Sequence, residues 1–574
     1  MLECNHMRQF VRGDVLAVRA IGGLHVVTIA WDFSEGQDAK RKDLLGFAIE
    51  RSELKQSTVI ERYYLRGIKR FKSKDEGLPP GTPVPTSEHP IQSFQWGDYT
   101  AKPNTKYRYK VVPVYGQPKL IELDDNSATT VEISTEAELG QPGQNGLATH
   151  DIYFNRGVAG SQAYALKFGK TKPDESKPDS DQMKWLSRGL FEALIAFIAR
   201  ASGDDAADYQ LRAMLYEFHY LPIGKAFSAA RKAGADVAIR YEAQTYLDVN
   251  EQMIAQAGIK GICQPQKSRA GVRHNKFIVL IHKGEPLAVW TGSTNISAGG
   301  IFGHSNLGHV IWEKGLAQLY LDYWERLAKP DVTRGPLVDA NLQVEPTPSP
   351  GSLPPSDRML TLFCPRDSKN TLETLHWYAD LMASAQRILC MTFAFNLDKV
   401  FSDVLERVGT TLRYAVFDKN LKKDVEDQID QVGNTVIAAG AKLAEGDMEN
   451  FLGEKLTGFN KNQYIHDKFM LVDPLGDDPI VVTGTANFSG PSQIANDENM
   501  VVIRGNTRVA DIYFGEFMRI FDHLYSRYII GKMKKAGTSN SEPAFLKEDP
   551  KDWVPQNFKK NGRKDLRRRY FIGD

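Results

Sequence analysis

Cysteine is scarce in this sequence of 574 residues, which contains only Cys4, Cys263, Cys364 and Cys390. No two of them are spaced as Cys-x-x-Cys, which argues against a zinc knuckle, a redox dithiol and a disulfide framework. Excess charge is also missing, because 72 Lys and Arg residues are balanced by 71 Asp and Glu residues. Net charge therefore gives no sign of a nucleic-acid partner, which would favour a strongly basic chain.

Long apolar runs are absent as well. Arginines interrupt the apolar residues of the N-terminal stretch MLECNHMRQFVRGDVLAVRAIGG, so we expect no secretory signal peptide. No stretch of about 18 consecutive apolar residues occurs, so we predict no transmembrane helix. We expect a cytoplasmic protein, and export by a route that needs no signal peptide remains open.

Residues 14–136 carry the signals of a β-sandwich. Runs rich in β-formers, such as LHVVTIAWDF and LLGFAIERSEL, are separated by polar turns. The segment FQWGDYTAKPNTKYRYKVVPVYG resembles part of a fibronectin type III domain, through its WGDY cluster and its alternating YRYKV strand. The residues that carry this resemblance are Trp96, Asp98, Tyr99, Tyr107, Tyr109 and Val111. It implies an accessory or docking module and no chemistry.

The character of the sequence changes near residue 150. Helical patterns such as MKWLSRGLFEALIAFIARA alternate with strand-like runs such as KFIVLI, which favours α/β layers. A proline-rich segment, 336–357, is typical of an extended linker. Because the same order of elements returns after it, we predict a multidomain chain with two α/β halves, 150–335 and 358–530. A basic C-terminal tail is expected over 531–574.

The second half repeats the first in register. HNK at 274–276 precedes the apolar run FIVLI, and HDK precedes FMLV at an offset of 192 residues, at 466–468. The same offset relates TGSTNIS at 291–297 to TGTANFS at 483–489. Self-similarity of this kind, without a gap, is most simply explained by an internal duplication.

The repeated residues have the chemistry that a phosphodiester requires. Each half supplies an imidazole, an ammonium group and a carboxamide, from His274, Lys276 and Asn295 and from His466, Lys468 and Asn487. If the halves pack about a pseudo-twofold axis, the two sets meet in one site. The ammonium and amide groups would stabilise transition-state charge, one imidazole would attack phosphorus, and the other would transfer protons. This chemistry needs neither a metal nor a cofactor.

The two motifs resemble those of the phospholipase D superfamily: His-x-Lys, four residues, Asp, and then Gly-Ser-x-Asn. The resemblance covers roughly 150–530 and implies one active site between two α/β halves, with a phosphohistidine intermediate. The second half has the Asp of the motif, Asp473, where the first has Ile281. We expect Asp473 to be structural, because it falls on the opposite strand face from His466 and Lys468.

The halves differ at one further pair of positions, Glu498 and Asn306, which the same offset relates. A carboxylate beside an imidazole favours its protonated form. We therefore predict that Glu498 supports His466 as the general acid and then base, and that Asn306 supports His274 as the neutral nucleophile. Further supporting residues are expected in the two Gly-[Ser/Thr]-x-Asn segments, at Ser293 and Thr485.

Two fused halves slightly favour a phospholipase D that acts on glycerophospholipid headgroups. The missing Asp of the first half is instead similar to the tyrosyl-DNA phosphodiesterase branch, so a metal-independent nuclease or DNA-end phosphodiesterase is the alternative. A binding protein with a decayed site is a third alternative, which the intact His, Lys and Asn residues disfavour. Basic residues suited to anionic lipid or nucleic acid lie near the C-terminus, at Lys559, Lys560, Arg563, Lys564, Arg567, Arg568 and Arg569. Oligomerisation is not required to build the site.

Overall fold

The computed structural model describes residues 7–137, 149–157, 161–169, 171–267, 271–329, 333–395, 397–442, 454, 463–535 and 545–574. These residues form a mixed α/β structure with several sheets. Most of the stretch between the first two predicted domains lies outside the described residues. Among the described helices, none is long and apolar enough to cross a membrane.

The N-terminal region contains two larger antiparallel sheets and a two-stranded one. Its strands are β1 Arg8–Arg12, β2 Leu16–Gly22, β3 Val27–Phe33, β4 Gly46–Lys55, β5 Thr58–Tyr64, β6 Arg66–Gly67, β7 Val84–Pro85, β8 Gln95–Asp98, β9 Lys106–Gln117, β10 Leu120–Leu123 and β11 Thr129–Ser134. One sheet has the order β1-β2-β3-β8, the other β10-β9-β4-β5 with β11 also paired to β9, and β6 pairs with β7. Tyr107, Tyr109 and Val111 are buried on one face of β9, as their alternation predicts, and they share a core with Trp31 of the facing sheet.

The first α/β unit is built on a seven-stranded sheet of order β12-β18-β17-β16-β13-β14-β15. Its strands are β12 Thr149–Phe154, β13 Tyr209–Leu215, β14 Asp236–Glu242, β15 Cys263–Gln266, β16 Lys276–His282, β17 Glu285–Gly292 and β18 Leu307–Trp312. Its helices are α1 Gln162–Phe168, α2 Asp181–Ser187, α3 Leu190–Ala199, α4 Leu221–Ala233, α5 Leu247–Ala257 and α6 Lys314–Ala328. The central strand β16 is buried on both faces, which explains its unbroken apolar run.

The second unit repeats this arrangement, with the strand order β19-β25-β24-β23-β20-β21-β22. Its strands are β19 Leu360–Cys364, β20 Ile388–Phe393, β21 Leu412–Phe417, β22 Thr435–Ala439, β23 Phe469–Val472, β24 Ile480–Gly484 and β25 Glu498–Arg504. The helices that accompany it are α7 Arg334–Val344, α8 Glu373–Ala383, α9 Lys399–Leu405, α10 Lys423–Gln431, α11 Gly490–Ile494 and α12 Thr507–Lys535. Strands that the 192-residue offset relates, such as β16 and β23, hold equivalent places in the two sheets.

The two seven-stranded sheets share one hydrophobic core with the long helix α12. Phe277 of β16 and Phe469 of β23 belong to the same buried cluster as Tyr513 and Phe517 of α12. The Tyr513 ring lies 5.3 Å from the ring of Phe469 and 5.3 Å from that of Phe154 in β12. Helix α12 therefore packs against both units and helps to hold them together.

The linker and the basic tail differ from their predictions. Helix α7 occupies the first part of the predicted linker 336–357. Pro336 is tolerated because it lies in the first turn of this helix, where its missing N–H breaks no helical hydrogen bond. Helix α12 extends into 531–574, and α13 Arg563–Ile572 follows near the C-terminus. Trp553 enters the core of the N-terminal sheets, and its Nε1 donates to the Leu44 carbonyl at 3.1 Å. The prediction of a basic tail considered only the Lys and Arg residues and therefore did not include this packing of Trp553.

The C-terminal basic cluster is therefore partly used within the fold. Arg568 pairs with Asp32 of β3 and with Asp565, and it is 8% exposed. Arg569 also contacts Asp565, at 3.3 Å. These contacts attach α13 to the N-terminal sheet, and they leave fewer cations for an anionic surface than the sequence predicted.

Candidate active site

The two catalytic histidine candidates lie just before strands β16 and β23, in segments that contact the opposite unit. The backbone N–H of His274 donates to the carbonyl of Asp497 at 3.1 Å. The backbone N–H of His466 donates to the carbonyl of Ser305 at 3.0 Å. The 192-residue offset converts one contact into the other, so each unit holds the histidine segment of its counterpart in the same way.

The histidine side chains also find their partners in the opposite unit. His274 Nδ1 lies 2.7 Å from Glu498 Oε2, and His466 Nδ1 lies 2.9 Å from Asn306 Oδ1. The predicted pairing of Glu498 with His466 and of Asn306 with His274 is therefore wrong. The physical reason is that each histidine segment docks beside the start of β18 or β25 of the other unit, so each histidine meets the supporting residue of the opposite unit.

The two lysines are buried, and each contacts the backbone of the histidine in its own motif. Lys276 Nζ donates to the carbonyl of His274, and Lys468 Nζ donates to that of His466, both at 2.6 Å. Burial lowers the pKa of Lys276 to about 7. Burial, together with the neighbouring charge of Lys276, lowers the pKa of Lys468 well below its usual value. A bound anion would relieve both effects, because it favours the charged form of each amine.

The histidine pKa values follow from the same burial. The pKa of His466 falls well below its usual value because of burial and the nearby charges of Lys468 and Lys276. Burial also lowers the pKa of His274, although Glu498 opposes this shift. Burial raises the pKa of Glu498, but its interactions with His274, Lys276 and Asn496 together outweigh that effect and leave the pKa lowered. The site therefore contains an ionised carboxylate beside one imidazole and a neutral amide beside the other.

A cavity of about 1130 Å³ opens onto His274, His466 and Asn295. A second cavity, of about 950 Å³, adjoins it and is bordered by His304. The two share Glu217, Tyr246 and Gln463 as lining residues. A substrate with its phosphorus near the histidines thus has room for a group on either side.

The two candidate amides differ in position. Asn295 lines the larger cavity, whereas Asn487 is not among its lining residues. The Oδ1 atoms of both side chains lack a hydrogen-bond partner among the described residues. Asn295 therefore borders the same cavity as the two histidines, and Asn487 does not.

The supporting candidates act at different distances from the chemistry. Ser293 Oγ donates to Asn306 Oδ1 at 2.7 Å, so it orients the amide beside His466. Thr485 Oγ1 accepts from the backbone N–H of Asn499 at 3.0 Å. The Asp473 carboxylate accepts from the backbone N–H groups of Arg387 and Ile388, at 2.7 and 2.9 Å. It holds the start of β20 and does not reach the cavity.

Several residues of the site escaped the sequence analysis. The His304 ring lies 4.9 Å from that of His466, and burial lowers its pKa to about 3. Asn155 Oδ1 accepts from the backbone N–H of Asn306 at 3.0 Å, and Asn496 Nδ2 donates to Glu498 Oε1 at 3.1 Å. The sequence could have indicated Asn496 and His304 together, because the 192-residue offset that relates the motifs also relates these two positions. Asn155 lies before the repeated segments, so the comparison of the two halves could not identify it.

Comparison with known proteins gives fold resemblances of limited extent. No family model matches the chain, and no curated protein matches it. Nuc from Salmonella typhimurium, described as a phospholipase D family member, is 20% identical with a TM-score of 0.21, over 32% of this chain and 94% of that one. Phosphatidylserine synthase from Haemophilus influenzae is 13% identical with a TM-score of 0.40, over 63% and 94%. Yeast tyrosyl-DNA phosphodiesterase is 10% identical with a TM-score of 0.30, over 52% and 83%.

Proposed function

We propose that this protein is a metal-independent phosphodiesterase of the phospholipase D type, which acts through a phosphohistidine. The observation that carries the proposal is the meeting of two His-x-Lys sets from separate units beside one cavity. The reciprocal contacts of His274 and His466 support a pseudo-twofold relation between the units. The intact imidazole and ammonium groups of both sets disfavour a decayed binding protein.

His274 is the proposed nucleophile. Donation of its Nδ1–H to Glu498 leaves the lone pair of Nε2 free to attack phosphorus. The bond from phosphorus to the leaving oxygen breaks as the bond from Nε2 to phosphorus forms. The imidazole ring then carries positive charge, which the buried carboxylate of Glu498 stabilises. The corrected pairing thus assigns the carboxylate to the histidine that becomes cationic.

His466 is the proposed general acid and then base. With its Nδ1–H donated to the Asn306 carbonyl oxygen, Nε2 is the atom that exchanges protons. Protonated Nε2 gives its proton to the leaving oxygen, and neutral Nε2 then takes a proton from water or an alcohol. That second nucleophile attacks phosphorus, the bond to His274 Nε2 breaks, and both imidazoles return to their starting state. Lys276 and Lys468 neutralise the phosphoryl oxygens throughout.

The lining of the larger cavity favours a phospholipid over a nucleic acid. Its lysines, Lys399, Lys419 and Lys422, are matched by the carboxyl groups of Glu217, Asp403, Glu406 and Asp418. A nucleic-acid groove requires an excess of cations along the phosphate backbone. The carboxylates instead suit a zwitterionic headgroup with a cationic end, and the exposed Phe395 at the rim suits an acyl chain. The N-terminal sandwich is proposed to be a fibronectin III-like accessory module.

The test is the formation of phosphatidylethanol from phosphatidylcholine and phosphatidylethanolamine vesicles, with ethanol and excess EDTA. Wild-type protein is expected to form it, and His274→Ala is expected to form none. The matched control is His376→Ala on α8, an exposed histidine that does not line the two cavities of the site, and this variant is expected to retain wild-type activity.

Three results would overturn parts of this proposal. Absence of phosphatidylethanol together with EDTA-resistant cleavage of single-stranded DNA would support the nuclease alternative. Cleavage of neither substrate class, in protein that remains folded, would support the binding protein. Equal activity in wild type and His274→Ala would contradict the phosphohistidine mechanism itself.

A further inference from the structure

A third cavity, of about 500 Å³, lies where the N-terminal sheet meets α12, α13 and α2. None of its lining residues borders the cavities beside His274 and His466. Its volume falls within the range of small-molecule sites, which often form where separate parts of a fold meet. We call it the Arg156 pocket, and its lining includes Arg156, Trp185, Trp96, Tyr99, Phe571 and Asp522.

The walls of the Arg156 pocket are rich in aromatic side chains. Trp96 and Tyr99 come from the N-terminal sheet region, Trp185 from α2 and Phe571 from α13. Aromatic faces gathered from three separate segments provide a large apolar contact area for a flat ring. The pocket is therefore suited to a ligand with a planar aromatic part.

Most of the charges around the pocket already have partners. Asp522 accepts from the Tyr99 hydroxyl at 2.5 Å and lies 3.8 Å from the Arg567 guanidinium. Arg519 donates to Glu516 at 2.7 Å. These pairs leave little net charge on their side of the cavity.

Arg156 differs from its neighbours. Its guanidinium lies over the Trp185 ring, 4.3 Å from the centroid, and its Nε is buried with no hydrogen-bond partner among the described residues. Burial, followed by the charges of Arg188 and Arg519, lowers the Arg156 pKa to about 9. The nearby charge of Glu516 opposes this shift, but Arg156 forms no ion pair with another described residue, so an anion that enters the pocket would be stabilised there.

We propose that the Arg156 pocket binds a small molecule with a planar aromatic ring and one anionic group. Arg156 receives the anion, because its planar fork matches the oxygens of a carboxylate or a phosphate. The ring lies among the aromatic walls. This site is separate from the proposed phosphodiesterase centre and does not depend on it.

The test is a fluorescence titration of the full chain with 1-anilinonaphthalene-8-sulfonate, which carries an aromatic body and one anionic group. We expect saturable binding at one site in the wild type. Arg156→Met retains the apolar stem and is expected to weaken binding at least about tenfold, the loss of one charge-assisted contact. The control Lys184→Met, an exposed cation next to Trp185, is expected to change affinity less than about twofold.

A second variant keeps the test decisive if Arg156→Met does not fold. Ala163→Trp adds bulk at an exposed lining position of α1 and is expected to block the probe without altering charge. Displacement of the probe by phenyl phosphate or by benzoate identifies the anionic group that the pocket prefers. The proposal would be overturned if neither phenyl phosphate nor benzoate displaces the probe. It would also be overturned if Arg156→Met and Ala163→Trp, or whichever of them folds, bind the probe with wild-type affinity.

Discussion

Replacing Glu498 by Gln removes the charge that faces His274 and preserves the shape of the side chain. Glu498 is fully buried, and its Oε2 lies 2.7 Å from His274 Nδ1. The variant amide still presents one oxygen to the imidazole N–H. What is lost is the negative charge that stabilises the imidazolium character of His274 in the transition state and in the phosphoenzyme.

The expected cost follows from that lost charge. A hydrogen bond to a charged group contributes about 1.5–3 kcal/mol, and burial prevents solvent from screening it. Since each 1.36 kcal/mol corresponds to a tenfold change in rate, Glu498→Gln is expected to lower kcat/KM by about 10-fold to 150-fold. Neutral Gln also lowers the pKa of His274 further, because the opposing influence of Glu498 disappears.

The assay is initial-rate kinetics with a phosphodiester whose leaving group is p-nitrophenol. This alcohol departs without a proton, so the assay reports on the nucleophile rather than on the general acid. Glu406→Gln, a carboxylate of the same cavity that does not contact His274, is the matched control and is expected to stay within about twofold. A wild-type rate for Glu498→Gln, or a loss seen only with an alkyl leaving group, would refute the reasoning.

Three further predictions concern proton transfer and stability. His466→Ala is expected to lower the rate of phosphoenzyme formation from an alkyl diester about 10²–10⁴-fold, and far less from a p-nitrophenyl diester, whereas His274→Ala abolishes both. The kcat/KM profile is expected to peak below pH 6.5. The reaction needs neutral His274 together with protonated His466, and because the pKa values of both histidines are lowered from 6.5, His466 is protonated only in acid. Glu516→Gln is expected to lower the free energy of unfolding at pH 7 by about 3–5 kcal/mol, since it leaves Arg188 and Arg519 buried without their carboxylate. In the wild type, the pKa of Glu516 is lowered from 4.5 to about 2, so its stabilisation is present above pH 4.5 and is lost as the pH falls toward 2.

Each of these three predictions has a result that contradicts it. Equal losses with both leaving groups would remove His466 from the role of acid. A kcat/KM maximum well above pH 6.5 would show that the histidines do not titrate as their burial indicates. For the stability prediction, urea unfolding of Glu516→Gln is compared with that of Glu373→Gln, an exposed carboxylate at the start of α8. Coincident unfolding curves would mean that the buried pair contributes nothing.

The residues of the site were within reach of sequence reasoning because the duplication repeats them at a constant offset. The chemistry of two imidazoles, two amines and two amides then restricts the reactions that such a site can catalyse, and phosphodiester cleavage is the one that these groups suit. The strand order of the two sheets follows the same repeat, since the order of helices and strands is carried by hydrophobic periodicity. Burial of Tyr107 and Tyr109 on one face of β9 was predicted in the same way, from the two-residue period of a strand.

The errors arise where contacts join residues far apart in the chain. The offset relates Glu498 to Asn306, but it does not determine whether a histidine meets the residue of its own unit or that of the other. That choice depends on how the units dock, which is a tertiary property. The C-terminal region was misjudged for a similar reason. Trp553 and Arg568 acquire their role only when the N-terminal sheet supplies the Leu44 carbonyl and Asp32.

The central claim is that His274 carries the phosphoryl group while His466 moves protons. The most direct measurement mixes His466→Ala with a p-nitrophenyl phosphodiester in excess EDTA, quenches the reaction at alkaline pH and maps the phosphohistidine by mass spectrometry. Without the His466 base, hydrolysis of the intermediate is slowed, so the account predicts a phosphorylated peptide with the modification on His274. The same peptide is expected to be unmodified in the double variant that also carries His274→Ala. Modification of any other residue, or release of p-nitrophenol with no phosphorylated His274, would contradict the account.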